Sequence, residues 1–234
     1  MGSDFVKINK YAISDIHGCA LTFQRLVEEK LALKKTDVLY LLGDYVNRGP
    51  DSKGVIDFIF ALRGLGYQVH TLRGNHEDLL LDALYDRKKH NRFLKNGGKI
   101  TLQSFGVQHV DEIPEVYLQF FKETKFYFEV DNYLLVHAGF NFKKKEPFKD
   151  HHSMMWIRDY DINEKILGDR IIIHGHTPEK KKDIKAQFNK SKIPKVINID
   201  SSCVYYPKKG SRLCAIDLSD LKLIFSKNLE WKRE

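Results

Sequence analysis

Apolar positions along this chain alternate between short continuous runs and longer stretches with helical spacing, and that alternation predicts the order of its elements. Lys10 to Ser14 reads as a strand, followed by a turn at His17-Gly18 and an amphipathic helix from about Ala20 to Leu33, with Leu21, Leu26, Val27 and Leu31 apolar. Val38 to Leu42 is an unbroken apolar run, the mark of a strand covered on both faces. Asp51-Ser52 after Pro50 is a helix start, and Val55 to Leu65 has helical apolar spacing. Tyr67 to Leu72 returns as a strand. Strand, helix, strand, helix, strand predicts a largely parallel sheet.

The middle of the chain, Asp78 to Thr124, is mainly helical in pattern, with a break at Gly97-Gly98 and a helix starting near Pro114, and is expected to flank or cap the sheet. Phe126 to Val130 and Tyr133 to Val136, joined by Asp131-Asn132, predict a hairpin. Later strands are expected over Ile171 to His174, Lys195 to Ile199, Leu213 to Leu218 and Leu221 to Phe225, the last two joined by Ser219-Asp220. The expected class is therefore α/β with mixed strand directions. With 234 residues, 42% of them hydrophobic, and no repeat or low-complexity linker, residues 1–234 are expected to form a single domain.

Composition narrows the setting. No run reaches about 18 apolar residues, so no membrane span is predicted. The N-terminus has a glycine at position 2 but Val6 where myristoylation wants Ser or Thr, and it has no basic region followed by an apolar stretch. A cytoplasmic location is expected. Cys19, Cys203 and Cys214 are odd in number and lack Cys-x-x-Cys spacing, against both a disulfide framework and a zinc ribbon. The net charge of +8 is carried partly by runs, Lys143-Lys144-Lys145 and Lys180-Lys181-Lys182, the second extended by Lys185, Lys190, Lys192 and Lys195. These lysines either steer a polyanionic substrate or form a solvated surface, and the second reading is favoured. Nucleic acid is a disfavoured partner, because no base-stacking motif or recognition helix accompanies the charge.

The candidate chemistry lies in five short motifs, each ending or following an expected strand: Asp15-Ile16-His17-Gly18, Gly43-Asp44-Tyr45-Val46-Asn47-Arg48-Gly49, Gly74-Asn75-His76-Glu77, His137-Ala138-Gly139 and His174-Gly175-His176-Thr177. Strand ends on one edge of a sheet are where open α/β folds place their sites. Two divalent ions need about six ligands with a bridging carboxylate. Asp15, His17 and Asp44 are assigned to a first ion and Asp44, Asn75, His137 and His176 to a second, with Asp44 as the bridge. A mixed oxygen and nitrogen shell suits Mn²⁺ best, with Fe or Zn²⁺ as alternatives. His76, next to Asn75, is the candidate general acid, and Arg48 and Arg158 are candidate phosphate clamps. His174, two residues from His176 on the expected strand, would share its face and is read as a supporting residue.

These motifs make the chain resemble the calcineurin-like metallophosphoesterase superfamily, and within it the phosphoprotein phosphatase branch, which includes serine/threonine protein phosphatases, their bacterial and phage relatives, and symmetric diadenosine tetraphosphatases. The resemblance runs from about Lys10 to Phe225 and extends to Asn96-Gly97-Gly98-Lys99-Ile100-Thr101-Leu102, Trp156-Ile157-Arg158, and Asn198-Ile199-Asp200 with Cys203-Val204-Tyr205. It implies a sandwich of two mixed β-sheets flanked by helices. It implies the same ligand set, with His76 as acid and Arg48, Asn75, His76 and Arg158 holding the phosphate. The Gly-His-x-His of superfamily nucleases is missing, since Pro178 follows Thr177.

Two positions depart from the branch. Protein phosphatases usually carry aspartate where this chain has Asn47, there pairing with the histidine that corresponds to His76. An asparagine oxygen accepting from the ring would leave His76 with a lower pKa and slower turnover. Diadenosine tetraphosphatases also lack that aspartate, and Arg48-Gly49-Pro50-Asp51-Ser52 resembles their run. Ser202 replaces a glycine common in bacterial members. The activity implied is that of a dimetal phosphomonoesterase of the serine/threonine protein phosphatase type, acting on a phosphorylated protein or small phosphoester by direct attack of a metal-bridging hydroxide. The alternative is a symmetric dinucleoside polyphosphate hydrolase, and the remaining one a metal-binding scaffold without catalysis.

Overall fold

The computed structural model describes residues 8–188, 193–204 and 210–230. The N-terminal residues, Lys190, Lys192 and Tyr205, on which expectations were placed above, lie outside them. In chain order the main elements are β1 (Lys10–Ile13), α1 (Ala20–Arg25), β2 (Val38–Leu41), α2 (Ser52–Gly64), β3 (Gln68–Thr71), α3 (Asn75–Asp82), α4 (Arg87–Phe93), α5 (Lys99–Phe105) and α6 (Glu115–Glu123). They continue with β4 (Tyr127–Val130), β5 (Tyr133–Val136), α7 (His151–Trp156), α8 (Glu164–Leu167), β6 (Ile171–His174), α9 (Lys181–Ala186), β7 (Val196–Asn198), β8 (Arg212–Asp217) and β9 (Leu223–Lys227).

Two mixed sheets result, one in the order β3-β2-β1-β8-β9 and one in the order β4-β5-β6-β7. β1, β2 and β3 run parallel, as do β5, β6 and β7, while β8, β9 and β4 pair antiparallel. The period-two alternation of the strands sorts side chains between layers. Ala12, Tyr40, Leu135, Ile173, Ile197, Cys214 and Ile216 meet in the core between the sheets. Their neighbours Ile13, Leu39, Leu41, Leu213 and Ala215 face the other way, against Phe23, Ile56, Ile59 and Leu80. Leu134, Val136 and Ile172 cover the outer face of the second sheet with Phe140, Met154 and Leu167. The sheets thus form a sandwich with helices on its outer faces.

Departures from the sequence reading are local. The first helix is α-helical only to Arg25 and continues as a π-helical turn over Leu26–Lys30, closed by Ala32 at φ 46°. Leu21, expected on its apolar face, is exposed, and Phe23 takes the buried place. β9 starts two residues later than expected, because Leu221 adopts φ 56° and the Lys222 amide donates to Asp220 Oδ1 at 2.9 Å, which keeps both residues in the turn. Helices α7 and α9 fall in stretches to which no element was assigned above. At 6 residues each they are too short to present a helical period. Asp150 caps α7 by accepting from the Ser153 amide at 3.2 Å.

Candidate metal centre

The C-terminal ends of β1, β2 and β3 in one sheet and of β5 and β6 in the other meet at one edge of the sandwich, and the five motifs occupy the turns that follow them. Backbone bonds fix these turns to one another. The His17 amide donates to the Asp44 carbonyl at 2.8 Å, and the Gly175 amide to the His137 carbonyl at 2.8 Å. The turns are tight enough to force positive φ at Asp15, His17, Asp44, Asn47, Arg48 and His176, between 47° and 72°. Six non-glycine residues in that region at one site are a concentration of backbone strain, which functional sites tolerate when surrounding bonds hold it. Gly49 has no side chain for a related reason, since a Cβ there would run into the His17 carbonyl oxygen.

Glu77 supplies much of the holding. It is fully buried, and its carboxylate accepts from the amides of Asp44 (2.8 Å), Tyr45 (2.8 Å), Gly74 (2.9 Å) and Val46 (3.3 Å). Burial pushes the Glu77 carboxyl up to about 7 against the pull of those four bonds. One side chain therefore clamps the turns after β2 and β3 together. The sequence signal was a glutamate three residues past Gly74 at a helix start, a capping-box position.

Among the described residues, two groups bring three metal-capable atoms within 4.8 Å of one another: His17, Asp44 and His76, and Asp44, His137 and His176. Asp44 belongs to both. Its Oδ2 lies 3.4 Å from His17 Nε2, and its Oδ1 lies 3.5 Å from His137 Nε2. The expected ligand Asn75 joins the second group, with its Oδ1 3.0 Å from His137 Nε2 and 2.9 Å from His176 Nδ1. Those two nitrogens are 3.2 Å apart. Asp15, expected beside His17 and Asp44, belongs to neither group. Its Oδ2 accepts from the His176 amide at 3.0 Å and is bonded to the Ser14 hydroxyl.

The donor atoms fit divalent ions. His137 donates its Nδ1 proton to the Leu42 carbonyl at 2.9 Å and His17 donates its own to the Val46 carbonyl at 2.9 Å, so both neutral rings turn the Nε2 lone pair inward. This is how ligating histidines are held. Asn75 Oδ1, His137 Nε2 and His176 Nδ1 make a triangle with edges of 2.9 to 3.2 Å. Two ligands at about 2.1 Å from an ion and near a right angle are about 3 Å apart. The opposite nitrogen of His176, Nε2, is buried without a hydrogen-bond partner among the described residues.

Burial holds the His17, His76, His137 and His176 imidazoles below their ordinary range, His176 at about 3, so all are neutral near pH 7. Burial and then the neighbouring Asp15 raise the Asp44 carboxyl well above its usual range. The same two causes, burial and then Asp15, raise the buried Asp200. Three close carboxyls and a set of inward lone pairs are an arrangement that cations stabilise.

His76 is buried at the start of α3, with its amide donating to Asp44 Oδ1 at 3.0 Å. Its Nδ1 lies 2.8 Å from Asn47 Nδ2, the amide nitrogen and not the oxygen expected from the sequence. The Asn47 oxygen is turned from the ring and accepts from the Thr101 hydroxyl at 2.8 Å. The neutral His76 ring then accepts at Nδ1 and carries its proton on Nε2. His174 and His176 do not share a strand face, because β6 ends at His174 and His176 turns away at φ 68°. His174 donates its Nδ1 proton to the Gly175 carbonyl at 2.9 Å and belongs to neither group. Arg48 reaches into the site with Nη1 2.6 Å from His17 Nε2. Arg158 is exposed at the rim and acts on His137 and His176 through its charge.

Comparison with known proteins places this geometry. The family model described as calcineurin-like phosphoesterase matches residues 10–212. The symmetrical bis(5'-nucleosyl)-tetraphosphatase of Buchnera aphidicola subsp. Schizaphis graminum is 43% identical over 82 residues, 35% of this chain and 29% of that protein's length. Its counterpart in Nitrosococcus oceani is 48% identical over 71 residues, 30% of this chain and 24% of the relative. This chain therefore aligns with under a third of either relative. Among solved structures, a candidate diadenosine tetraphosphatase superposes with a TM-score of 0.67 at 22% identity, covering 96% of both chains. A serine/threonine phosphatase from Saccharomyces cerevisiae gives 0.64 at 15% identity, covering 99% of this chain and 83% of its own. At those identities the two structures share the fold with this chain.

Proposed function

Because this chain belongs to the calcineurin-like phosphoesterase family, we propose that it is a dimetal-dependent hydrolase of dinucleoside polyphosphates such as diadenosine tetraphosphate. The relatives' names support that substrate class. The observation that carries it over a phosphoprotein substrate is the contact of Asn47 Nδ2 with His76 Nδ1. An amide that donates to the ring cannot stabilise imidazolium, which weakens His76 as an acid. A serine alkoxide leaving group needs a strong acid. A phosphate leaving group, with a second pKa of about 6, needs little protonation.

In this reading Asp15, His17 and Asp44 hold one ion, and Asp44, Asn75, His137 and His176 the other, with Mn²⁺ as the proposed metal. Two such ions supply positive charge to the phosphoryl oxygens and lower the pKa of water. Asp44, between both groups, fixes their separation. The Nε2 proton of His76 faces the leaving oxygen, and Asn47 and Thr101 hold the ring in that tautomer. Arg48 turns its planar fork from His17 to the substrate phosphate, and Arg158 adds charge at the rim. Glu77 keeps the turns in place while charge moves through the site.

The test compares kcat/KM of the Mn²⁺-loaded protein on diadenosine tetraphosphate and on a phosphoserine/phosphothreonine peptide, with His76→Asn as the control. A preference of a hundredfold or more for the dinucleotide is expected, and a comparable preference for the peptide would replace this reading with a protein phosphatase. The control should lose about 10²- to 10⁴-fold in rate on the peptide, whose leaving group depends on the acid, and about tenfold or less on the dinucleotide, while keeping its metal content.

A further inference from the structure

A cavity of about 560 Å³ opens between residues 179–185, where α9 begins, and residues 201–202 and 210–212. Lys180, Lys181, Lys182, Lys185 and Arg212 line it, against one carboxylate, Glu179. None of the five cations forms an ion pair among the described residues. The other lysine run differs, since Lys143 meets Asp161 at 3.4 Å. Lys181 is half-buried and lies over the Phe225 ring. Burial, and then repulsion from Arg212 and Lys185, hold its ammonium below the ordinary range.

The walls are tied together rather than loosely apposed. Ser202 Oγ donates to the Glu179 carbonyl at 3.0 Å, Ser201 Oγ donates to the Arg212 carbonyl at 2.6 Å, and the Glu179 amide donates to the Asp200 carbonyl at 2.9 Å. Ser202 holds φ 61° to make its bond. Ser211, also on the lining, has a buried hydroxyl without a partner among the described residues. Crowded cations and an unused hydroxyl on a fixed frame lack only an anion.

We propose that this cavity seats a chain of condensed phosphates, and specifically the part of the substrate's phosphate chain that extends beyond the bond being cleaved. This rests on the phosphate substrate proposed above and adds a second place of contact. The reach is short: Glu179 is three residues from His176, at most about 11 Å of extended chain. The opposite wall begins at Ser201, directly after Asp200, whose carboxyl senses Asp15. A single phosphate monoester has nothing to place in the cavity, whereas a tetraphosphate does. An acidic peptide would have to satisfy cations spread around a pocket rather than along a groove, which favours a short, dense polyanion.

The experiment uses the full chain loaded with Mn²⁺, the Lys181→Gln/Arg212→Gln double variant, and two substrates, p-nitrophenyl phosphate and diadenosine tetraphosphate. The double variant is expected to raise KM for the tetraphosphate at least tenfold with kcat within threefold, and to leave kcat/KM for p-nitrophenyl phosphate within twofold of the parent. An unchanged KM for both would make the lysines a solvated surface and overturn the proposal. Equal losses on both would assign them to general steering and overturn it as well. If p-nitrophenyl phosphate is cleaved and diadenosine tetraphosphate is not, the dinucleotide reading fails separately. Calorimetric titration with inorganic tripolyphosphate then decides: one-to-one binding weakened tenfold in the double variant supports the cavity. No saturable binding, or binding only to an acidic phosphopeptide, rejects it.

Discussion

At the scale of single residues the most consequential contact is the one between Asn47 and His76. The sequence showed that an amide stands where a carboxylate is usual, but not which of its atoms meets the ring. Thr101, 54 positions further along, supplies the hydroxyl that bonds the amide oxygen. Asn47→Asp should therefore do more than add a charge. The carboxylate can accept both from Thr101 and from a protonated His76 Nδ1, which raises the pKa of the ring and makes it a better acid. The expected outcome is a rise of tenfold or more in kcat on a phosphoserine peptide, a change under threefold on diadenosine tetraphosphate, and an alkaline limb of the pH–rate profile moved to higher pH. Equal gains on both substrates would show that protonation of the leaving group limits both reactions.

At the scale of elements, the site depends on turns that individual strands and helices cannot hold by themselves. The turn after β2 carries Asp44, Asn47 and Arg48 at positive φ, and Glu77 of α3 binds three of its amides and one from Gly74. Glu77→Gln keeps the shape but points an amide NH₂ toward backbone donors, so at least one buried donor loses its acceptor. A loss of about 1–3 kcal/mol in stability is expected from urea unfolding, together with weaker metal retention because Asp44 shifts with its turn. Unchanged stability would mean that the strand ends alone fix these turns. The short helices after β5 were harder to read. α7, capped by Asp150, and α9, which has no side-chain cap, span only 6 residues each and leave no periodic trace in the sequence.

At the scale of the whole molecule, two sheets from distant parts of the chain close on one edge, and the site has the energetics of a buried interface. Without metal, its neutral imidazoles oppose acid. His174 is fully enclosed and held at about 4, below the ordinary 6.5, so the unfolded chain takes up the proton first. Its contribution to stability is present above about pH 6.5 and is lost as pH falls toward 4, by up to roughly 3 kcal/mol. His17, His76, His137 and His176 act in the same direction, and the raised carboxyls of Asp44, Glu77 and Asp200 act against them. Comparison with His174→Gln isolates one share: urea midpoints of the metal-free variant should fall less between pH 7 and pH 5 than those of the parent. Mn²⁺ at a hundred times its dissociation constant should in turn stabilise the protein by about 3 kcal/mol, visible as a higher Tm that EDTA reverses. The sequence by itself determined the strands, the parallel βαβ order and the position of the site motifs, Asp44 among them, directly after the strands, because strand periodicity and turn chemistry are local. Only the tertiary structure decided that Asp15 leans toward His176, that Glu77 clamps two turns, and that the lysines after His176 face Arg212 across a cavity. Each of those depends on which segments the two sheets bring together over separations of tens to more than a hundred residues, and local sequence pattern carries no record of that distance.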